Sequence, residues 1–499
     1  MKMRRYRSYL IPLFLVFLLA CSTLLQRRVP FQSERPQECQ GFLNVLDEKV
    51  SEAGMRDAAN FPISGFPYLR TNRFLASLGT DVKKDEAGEQ WVRWMQQLDL
   101  ESRWKEIRNL PDEVILSLGS TRNGRPDREV LFARVESCSH RLLEHDMRQP
   151  DFYETLHPLV GVPDEYSFSR RAIGLYPLFS IAVTLATKSS RGKFKSWYVM
   201  NLEELPMEGE LVGFVPSQGV PLGEKELHGL IENSRKNPLS VPLLDCEEEE
   251  RIVAHFAPII FQDVAAPYDR FGRISWEGER LAIDGQKPLV YYYISHGFLK
   301  GEPILQINYA IWYPERAGKR SPWIERGHLD GMTVRVSLDS RGHPFMVDVT
   351  NNCGCYHFFI PKKARLDRVI SKSLGLDPFV PQWLPEVGPG ERLGIRVNSG
   401  YHQVERILAS GIPSNSIPYE LMPYEILEAL PREGDRTESV FDEDGIAKGS
   451  GRWKEEVLFF SMGVPSVGSM RQRGNHPLVL VGRAHFDDPS LFEKNFVFK

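Results

Sequence analysis

Five side chains near one strand–turn–strand pattern could bind a metal ion or carry out thiol chemistry. Histidine and cysteine are common zinc ligands, and an aspartate can add an oxygen ligand. A Cys-Gly-Cys segment can also exchange between two thiols and a small disulfide, provided that the chain bends at the glycine. The same residues could instead hold a loop in place through a disulfide and hydrogen bonds. The five residues are His328, Asp330, Cys353, Cys355 and His357.

The register of a predicted hairpin would bring these residues together. Residues 332–349 contain two runs of alternating apolar residues on either side of a turn. If Val336 faces Phe345, apolar residues oppose each other along the pair. His328 would then lie opposite Cys353, with Cβ atoms about 5 Å apart. The open end of the hairpin is therefore expected to be a structural site held by a disulfide and hydrogen bonds, with a zinc-like site and then a redox pair as the alternatives.

The elements that must position these residues differ between the two halves of the chain. In the first half, apolar residues recur at helical spacing, as in 39–46 and 131–142. In the second half, residues 305–313 and the hairpin alternate as strand residues do. We predict an α+β protein, with a mainly helical domain over 21–245 that includes a linker. A β-rich, antiparallel, sandwich-like domain follows over 246–499 and ends in loops and short helices.

One apolar run in the first half is too short to cross a bilayer. Residues 172–187 are apolar and contain Pro177, whereas a spanning helix needs about 20 residues. We expect a buried helix rather than a face that contacts a membrane, since runs of this length usually belong to a core. The following stretch, 188–250, is rich in proline, glycine and charge and indicates a connection with a short strand or two.

The N-terminus has the pattern of a signal peptide. Basic residues precede a short apolar run over 10–20. The segment Leu18-Leu19-Ala20-Cys21 then resembles the lipobox of bacterial lipoproteins. That resemblance implies cleavage after residue 20 and diacylation of Cys21, and two acyl chains would anchor the protein stably. Ser22 resembles the pattern sorted to the outer membrane, which implies a lipid-anchored envelope protein facing the periplasm.

Five cysteines remain once Cys21 carries lipid, and in an oxidising compartment they can form disulfides. Cys39 and Cys138 both lie on apolar helix faces, so we expect that they can pair. A disulfide closing a loop of about 100 residues would contribute several kcal/mol. The odd number leaves at least one thiol free or bound to another group.

Composition excludes some functions and leaves others open. The net charge of −4 argues against a general nucleic-acid partner. The sequence has no His-Glu-x-x-His, Gly-x-Ser-x-Gly or phosphate-loop motif. His476 and the 485–488 segment are expected in solvated loops.

A second resemblance concerns the hairpin itself. The segment Gly327-His328-Leu329-Asp330-Gly331 follows an aromatic strand that ends in Trp312-Tyr313-Pro314. It resembles the Gly-His-Arg-His-Asp-Trp-Glu region of necrosis-inducing-like proteins, which are β-sandwiches with a divalent metal held by histidine and acids. The second histidine, the tryptophan and the glutamate of that region are missing here, so no function is carried over.

Two functions are therefore expected as alternatives. One is a membrane-anchored binding or scaffolding protein with an envelope protein as partner. The other is a metal-dependent, zinc-like hydrolase centred on the open end of the hairpin. Metal analysis and a thiol count would distinguish them.

Overall fold

The fold is taken from a computed structural model, which describes residues 29–79, 84–217, 219, 221–372, 376–434 and 436–499. The predicted signal peptide and the predicted lipidation residue, Cys21, lie outside the described residues. In the described part of the chain, no helix combines the length and the apolar character needed to span a membrane.

Helices dominate the first half of the chain, and strands dominate the second. The helices are α1 (Gln37–Glu52), α2 (Arg73–Leu78), α3 (Glu86–Asn109), α4 (Asp112–Ser117), α5 (Arg128–Met147), α6 (Phe152–Leu156), α7 (Phe168–Ile173), α8 (Tyr176–Val199), α9 (Glu224–Ser234), α10 (Cys246–Phe256) and α11 (Trp453–Leu458). The strands are β1 (Phe61–Ile63), β2 (Phe66–Thr71), β3 (Thr121–Arg122), β4 (Arg125–Pro126), β5 (Glu210–Pro216), β6 (Ile259–Val264), β7 (Arg273–Glu277), β8 (Arg280–Asp284), β9 (Leu289–Leu299), β10 (Glu302–Arg316), β11 (Gly327–Leu338), β12 (Pro344–Asn351), β13 (Phe358–Pro361), β14 (Leu366–Val369), β15 (Arg392–Val397), β16 (Val404–Ser410), β17 (Ile417–Pro423), β18 (Leu430–Pro431), β19 (Thr437–Glu438) and β20 (Phe496–Phe498).

The helical part packs α1, α3 and α5 around one apolar cluster. Local sequence sets where two of these helices begin, because Asp85 and Asp127 cap them by accepting hydrogen bonds from the N–H groups of Gly88 and Val130. The predicted disulfide is present and joins Cys39 to Cys138 across a sequence separation of 99 residues. It therefore ties α1 to α5.

The second half is built on one ten-stranded sheet, in the order β13-β12-β11-β10-β9-β17-β5-β6-β15-β16. The prediction of an α+β protein is confirmed. The pairs from β9 to β13 are antiparallel, as expected, whereas β17 with β9, β17 with β5, and β15 with β6 are parallel, so the sheet is mixed. Strand β5 precedes residue 245, so the sheet takes in part of the predicted linker.

The hairpin register is shifted by two residues from the prediction. Val336 pairs with Val347 rather than Phe345. The shift has two sources. The first is the turn, where the Asp339 N–H donates to the His343 carbonyl, so that Asp339 rather than Leu338 lies opposite His343. The second is an irregularity in strand pairing between Ser337 and Leu338, which moves the register by one more residue. A shift of two preserves which side chains share a face, so the predicted apolar face is buried as expected.

Helix α8 contradicts the prediction of a buried helix over 172–187. Its outer apolar side chains are largely exposed, with Ile181 at 62% and Leu185 at 63%. The helix also continues to Val199, into the stretch predicted as a connection. The apolar run is therefore a surface helix, and its exposure needs a separate explanation.

Candidate functional site

The structure does not bring the five possible metal ligands into one group of close ligand atoms. His328 does not oppose Cys353; it pairs with Glu315 on β10, because β12 ends at Asn351. The His328 ring donates from Nε2 to the Leu281 carbonyl at 2.9 Å. The prediction that His328 lies opposite Cys353 is therefore wrong. In the observed register β12 ends opposite Met332, so the first residues of β11 have no partner on β12.

His357 is also held by a protein partner. Its Nε2 lies 2.8 Å from the Asp348 carboxylate, which pairs as well with the buried Arg335 guanidinium. Burial lowers the pKa of His357 despite the hydrogen bond that its ring donates to Asp348. The histidine ring is thus held by the carboxylate of a buried Arg335–Asp348 ion pair.

Asp330 lies at the centre of a buried charge cluster. Its carboxylate accepts from Arg316 Nε at 3.0 Å and Nη2 at 2.9 Å, and lies 2.8 Å from His402 Nδ1. The other ring nitrogen of His402 lies 3.3 Å from Asp269, and Arg316 also donates to Glu325 at 2.7 Å. These five residues are called the Asp330 cluster below.

Electrostatics assign charges within the Asp330 cluster. Burial alone would raise the pKa of Asp330, but Arg316 and His402 outweigh it and hold that pKa well below its usual range. Burial alone would lower the pKa of His402, but Asp269 and Asp330 raise it, so the ring is favoured as an imidazolium. The ring stacks on Tyr313 with centroids 3.9 Å apart. A guanidinium and an imidazolium therefore occupy the positions around Asp330 that a metal cation would need.

The Cys353–Cys355 pair lies in a tight turn after β12. The bend that the sequence required is present: Gly354 has a φ of +87°, and a Cβ there would lie 2.3 Å from the Pro477 carbonyl oxygen. Cys355 N–H donates to Cys353 Sγ at 3.4 Å, and both thiols are free. The hydrogen bond from the Cys355 thiol lowers the pKa of Cys353, which makes it the more acidic member of the pair.

The pair lines a cavity of about 270 Å³ beneath α8. This α8 cavity is bounded by the inner face of the helix, the 353–359 segment, residues 376–379 and the 464–480 segment. Its wall is mainly apolar and includes Val183, Phe194, Phe358, Phe379, Val467 and Leu478. Ligand sites in proteins usually have this character, with a few polar groups that fix orientation.

Two carboxyl groups supply the polar end of the α8 cavity. Burial, with Glu325 and Cys353 nearby, raises the pKa of Glu455 to about 9, so this side chain is a neutral donor at pH 7. Glu325 accepts from the Tyr356 hydroxyl at 2.6 Å and from Arg316, which links the cavity wall to the Asp330 cluster. Arg191 and Lys372 add basic groups elsewhere in the lining.

Another histidine–carboxylate group has metal-ligand spacing. Among the residues that the structure describes, Asp164, Glu165 and His485 can bring ligand atoms within 4.8 Å of one another. Arg73 already neutralises Glu165, and Arg483 pairs with Asp164. The carboxylates are therefore balanced by protein cations, and the group is explained without a ligand.

Sequence reasoning found some of these residues and missed others. It identified Asp330, Cys353 and Cys355 but not the partners that define their environment. Asp269, Arg316, Asp330 and His402 come from separate segments, so no spacing could have signalled the cluster. Glu455 lies in a short helix near the C-terminal end and carries no motif.

The comparisons with known proteins add little to this description. No family model matches the chain, and no curated protein matches it. A solved structure entitled "Toxin fold for microbial attack and plant defense" is 15% identical and covers 36% of this chain and 75% of that chain, with a TM-score of 0.20. At that score the likeness is faint, and we base no argument on it.

Proposed function

We propose that the chain is a bacterial envelope lipoprotein, anchored through a lipid on Cys21, whose body binds a small and mainly apolar ligand in the α8 cavity. The observation that carries the binding role is the cavity itself, which combines an apolar wall with a neutral carboxyl donor and a thiol pair. The lipid anchor is supported by the lipobox resemblance.

The lining limits the chemistry of the ligand. A volume of about 270 Å³ is near the lower end of ligand pockets, which span roughly 300–1,000 Å³. Apolar walls favour a compact hydrocarbon or aromatic body. Because protonated Glu455 can donate a hydrogen bond, the ligand should carry one acceptor, such as a carbonyl or hydroxyl oxygen.

The zinc-like hydrolase gains no support from the site. Two of its proposed ligands, His328 and His357, have separate protein partners, and the Asp330 carboxylate is already paired with two cationic groups. Binding is therefore the function that the geometry supports best, with an envelope protein or another envelope component as the source or recipient of the ligand.

A cavity-filling variant tests the binding role. Val183 lines the cavity, so Val183→Trp should fill part of it, while Val199→Trp, at an exposed position of the same helix, is the matched control. Titration of the purified full chain with an uncharged naphthylamine fluorophore should give saturable one-to-one binding. We expect at least a tenfold loss of affinity for Val183→Trp and none for Val199→Trp, because excluding the probe removes about 1.4 kcal/mol or more of binding free energy.

Equal affinities for the two variants would overturn the assignment of the cavity as the binding site. The anchor is tested separately by metabolic labelling with an alkyne fatty acid. The label should enter the wild-type chain and not Cys21→Ser, and equal labelling of both would remove the lipoprotein assignment.

A further inference from the structure

An extended apolar surface covers the outer side of α7, α8 and α11. More than half of the large apolar side chains that are exposed in the described residues lie here. They include Phe168 at 78%, Leu178 at 66% and Trp453 at 70% exposure. The full set is Phe168, Ile173, Leu175, Leu178, Phe179, Ile181, Leu185, Trp323, Trp453, Val457, Leu458 and Phe460, called the apolar surface below.

Contacts between the helices make these residues one surface. Arg170 of α7 pairs with Glu456 of α11 at 3.0 Å. Gly174, between α7 and α8, packs directly against Ser461, where a Cβ would lie 2.5 Å from the serine Cα. Lys454 lies over the Trp323 ring at 5.0 Å, which places that tryptophan beside α11. A contiguous exposed surface built from this many large apolar side chains marks an interaction site.

Helix α8 is apolar on both sides in its N-terminal half. Val183 and Ala186 line the α8 cavity, while Leu178, Ile181 and Leu185 face outward. A helix that is apolar all round is normally buried. The outer side of α8 therefore needs a covering medium or partner.

The charges identify the kind of partner. Residues 168–200 contain no aspartate or glutamate. Their basic residues are Arg170, Arg171, Lys188, Arg191, Lys193 and Lys195. A helix with apolar and aromatic side chains on one face and basic residues beside them is typical of interfacial helices, which lie in the headgroup region of anionic membranes. Two copies of this surface would repel each other through the same positive charges.

We propose that the apolar surface docks on an anionic lipid bilayer, with α8 lying in the plane of the membrane. This contact goes beyond the lipid anchor, because it fixes the orientation of the folded body. It places the α8 cavity directly behind the docked helix, so that an apolar ligand could pass between membrane and cavity.

The test uses the full lipidated chain in vesicles. In a Cys246→Ser background, which removes the exposed thiol, Leu178→Cys receives an environment-sensitive fluorophore. Ser340→Cys, exposed on the hairpin turn and outside the apolar surface, is the matched control. Vesicles contain phosphatidylglycerol and either normal or brominated phosphatidylcholine, and bromine quenches only a fluorophore that contacts the acyl chains.

We expect brominated lipid to quench the label at position 178 about twofold and the label at 340 negligibly, because interfacial helices bury their apolar face roughly 5–10 Å deep. Lys188→Gln and Lys195→Gln should each lower the ratio of docked to undocked protein about fivefold. Vesicles without phosphatidylglycerol should reduce docking further.

Three outcomes would overturn the proposal. A blue shift at position 178 without bromine quenching would mean that a second copy or another protein covers the surface. If the protein binds vesicles but the fluorescence of the label at position 178 does not change, the lipid anchor is supported and the docking of the apolar surface is refuted. If the protein does not float with the vesicles, both the lipid anchor and the docking of the apolar surface are refuted.

Discussion

Replacing Asp330 with asparagine tests whether this residue is the centre of an ion cluster rather than a metal ligand. The carboxylate accepts two hydrogen bonds from Arg316 and one from protonated His402. The asparagine amide has one acceptor oxygen and no charge. In the variant, Glu325 would be the only counter-charge left to Arg316, and Asp269 would be the only one left to His402. Removing one partner of a buried ion pair costs about 3–5 kcal/mol, and we expect Asp330→Asn to lower the free energy of unfolding by that amount.

The assay is urea denaturation at neutral pH, followed by tryptophan fluorescence and circular dichroism. Asp367→Asn, at an exposed position, is the control and should change the free energy of unfolding by less than about 0.5 kcal/mol. A chelator should leave the wild-type midpoint unchanged, because protein cations satisfy the Asp330 carboxylate. A loss below about 1 kcal/mol in Asp330→Asn, or an equal loss on adding chelator, would refute the reasoning.

The other predictions concern the cysteines and Glu455. Replacing Cys39 and Cys138 together with serine should lower the free energy of unfolding by up to about 4.7 kcal/mol, the loop-closure value for a separation of 99 residues. Reductant should reproduce this loss in the wild type, and an unchanged denaturation midpoint would contradict the prediction. Glu455→Gln should stabilise the protein at pH 8 and not at pH 4: the folded-state pKa of about 9 exceeds the ordinary 4.5, so the wild type loses stability as pH rises between these values. Identical pH profiles of unfolding would contradict this. A thiol reagent should modify exposed Cys246 first and the Cys353–Cys355 pair more slowly, and equal rates measured by mass spectrometry would contradict the burial.

The faces of the sheet could be predicted from the sequence, whereas the register could not. Alternation in β11 and β12 correctly places Val334 and Val336 together on the apolar face, because side-chain direction in a strand follows a period of two. Pairing depends in addition on where the turn closes. Asp339 accepts N–H groups from Arg341 and His343 and closes a shorter turn than the apolar pattern suggested. The displaced pairing was enough to separate His328 from Cys353.

The candidate site could be predicted only where its chemistry is local. The Cys353–Cys355 pair is local, and its need for a bend at Gly354 follows from strand geometry alone. The Asp330 cluster is not local, because His402 reaches Asp330 from a loop between β15 and β16. No pattern in the sequence separates a carboxylate that will meet a metal ion from one that will meet an arginine and a histidine. That choice is made by tertiary contacts.

Helix α8 shows why an apolar run alone does not determine burial. The apolar run, residues 172–187, is too short to span a membrane and has the length of an apolar core segment, which is why the sequence favours the interior. The structure uses only one side of that helix for packing, around Phe194 and Trp197, and leaves its N-terminal half apolar on the outside. Acids and polar residues would be expected on the outer side of an ordinary surface helix, yet 168–200 has no acid. An apolar outer face on a segment whose own charged residues are all basic is therefore better explained by a lipid surface than by water.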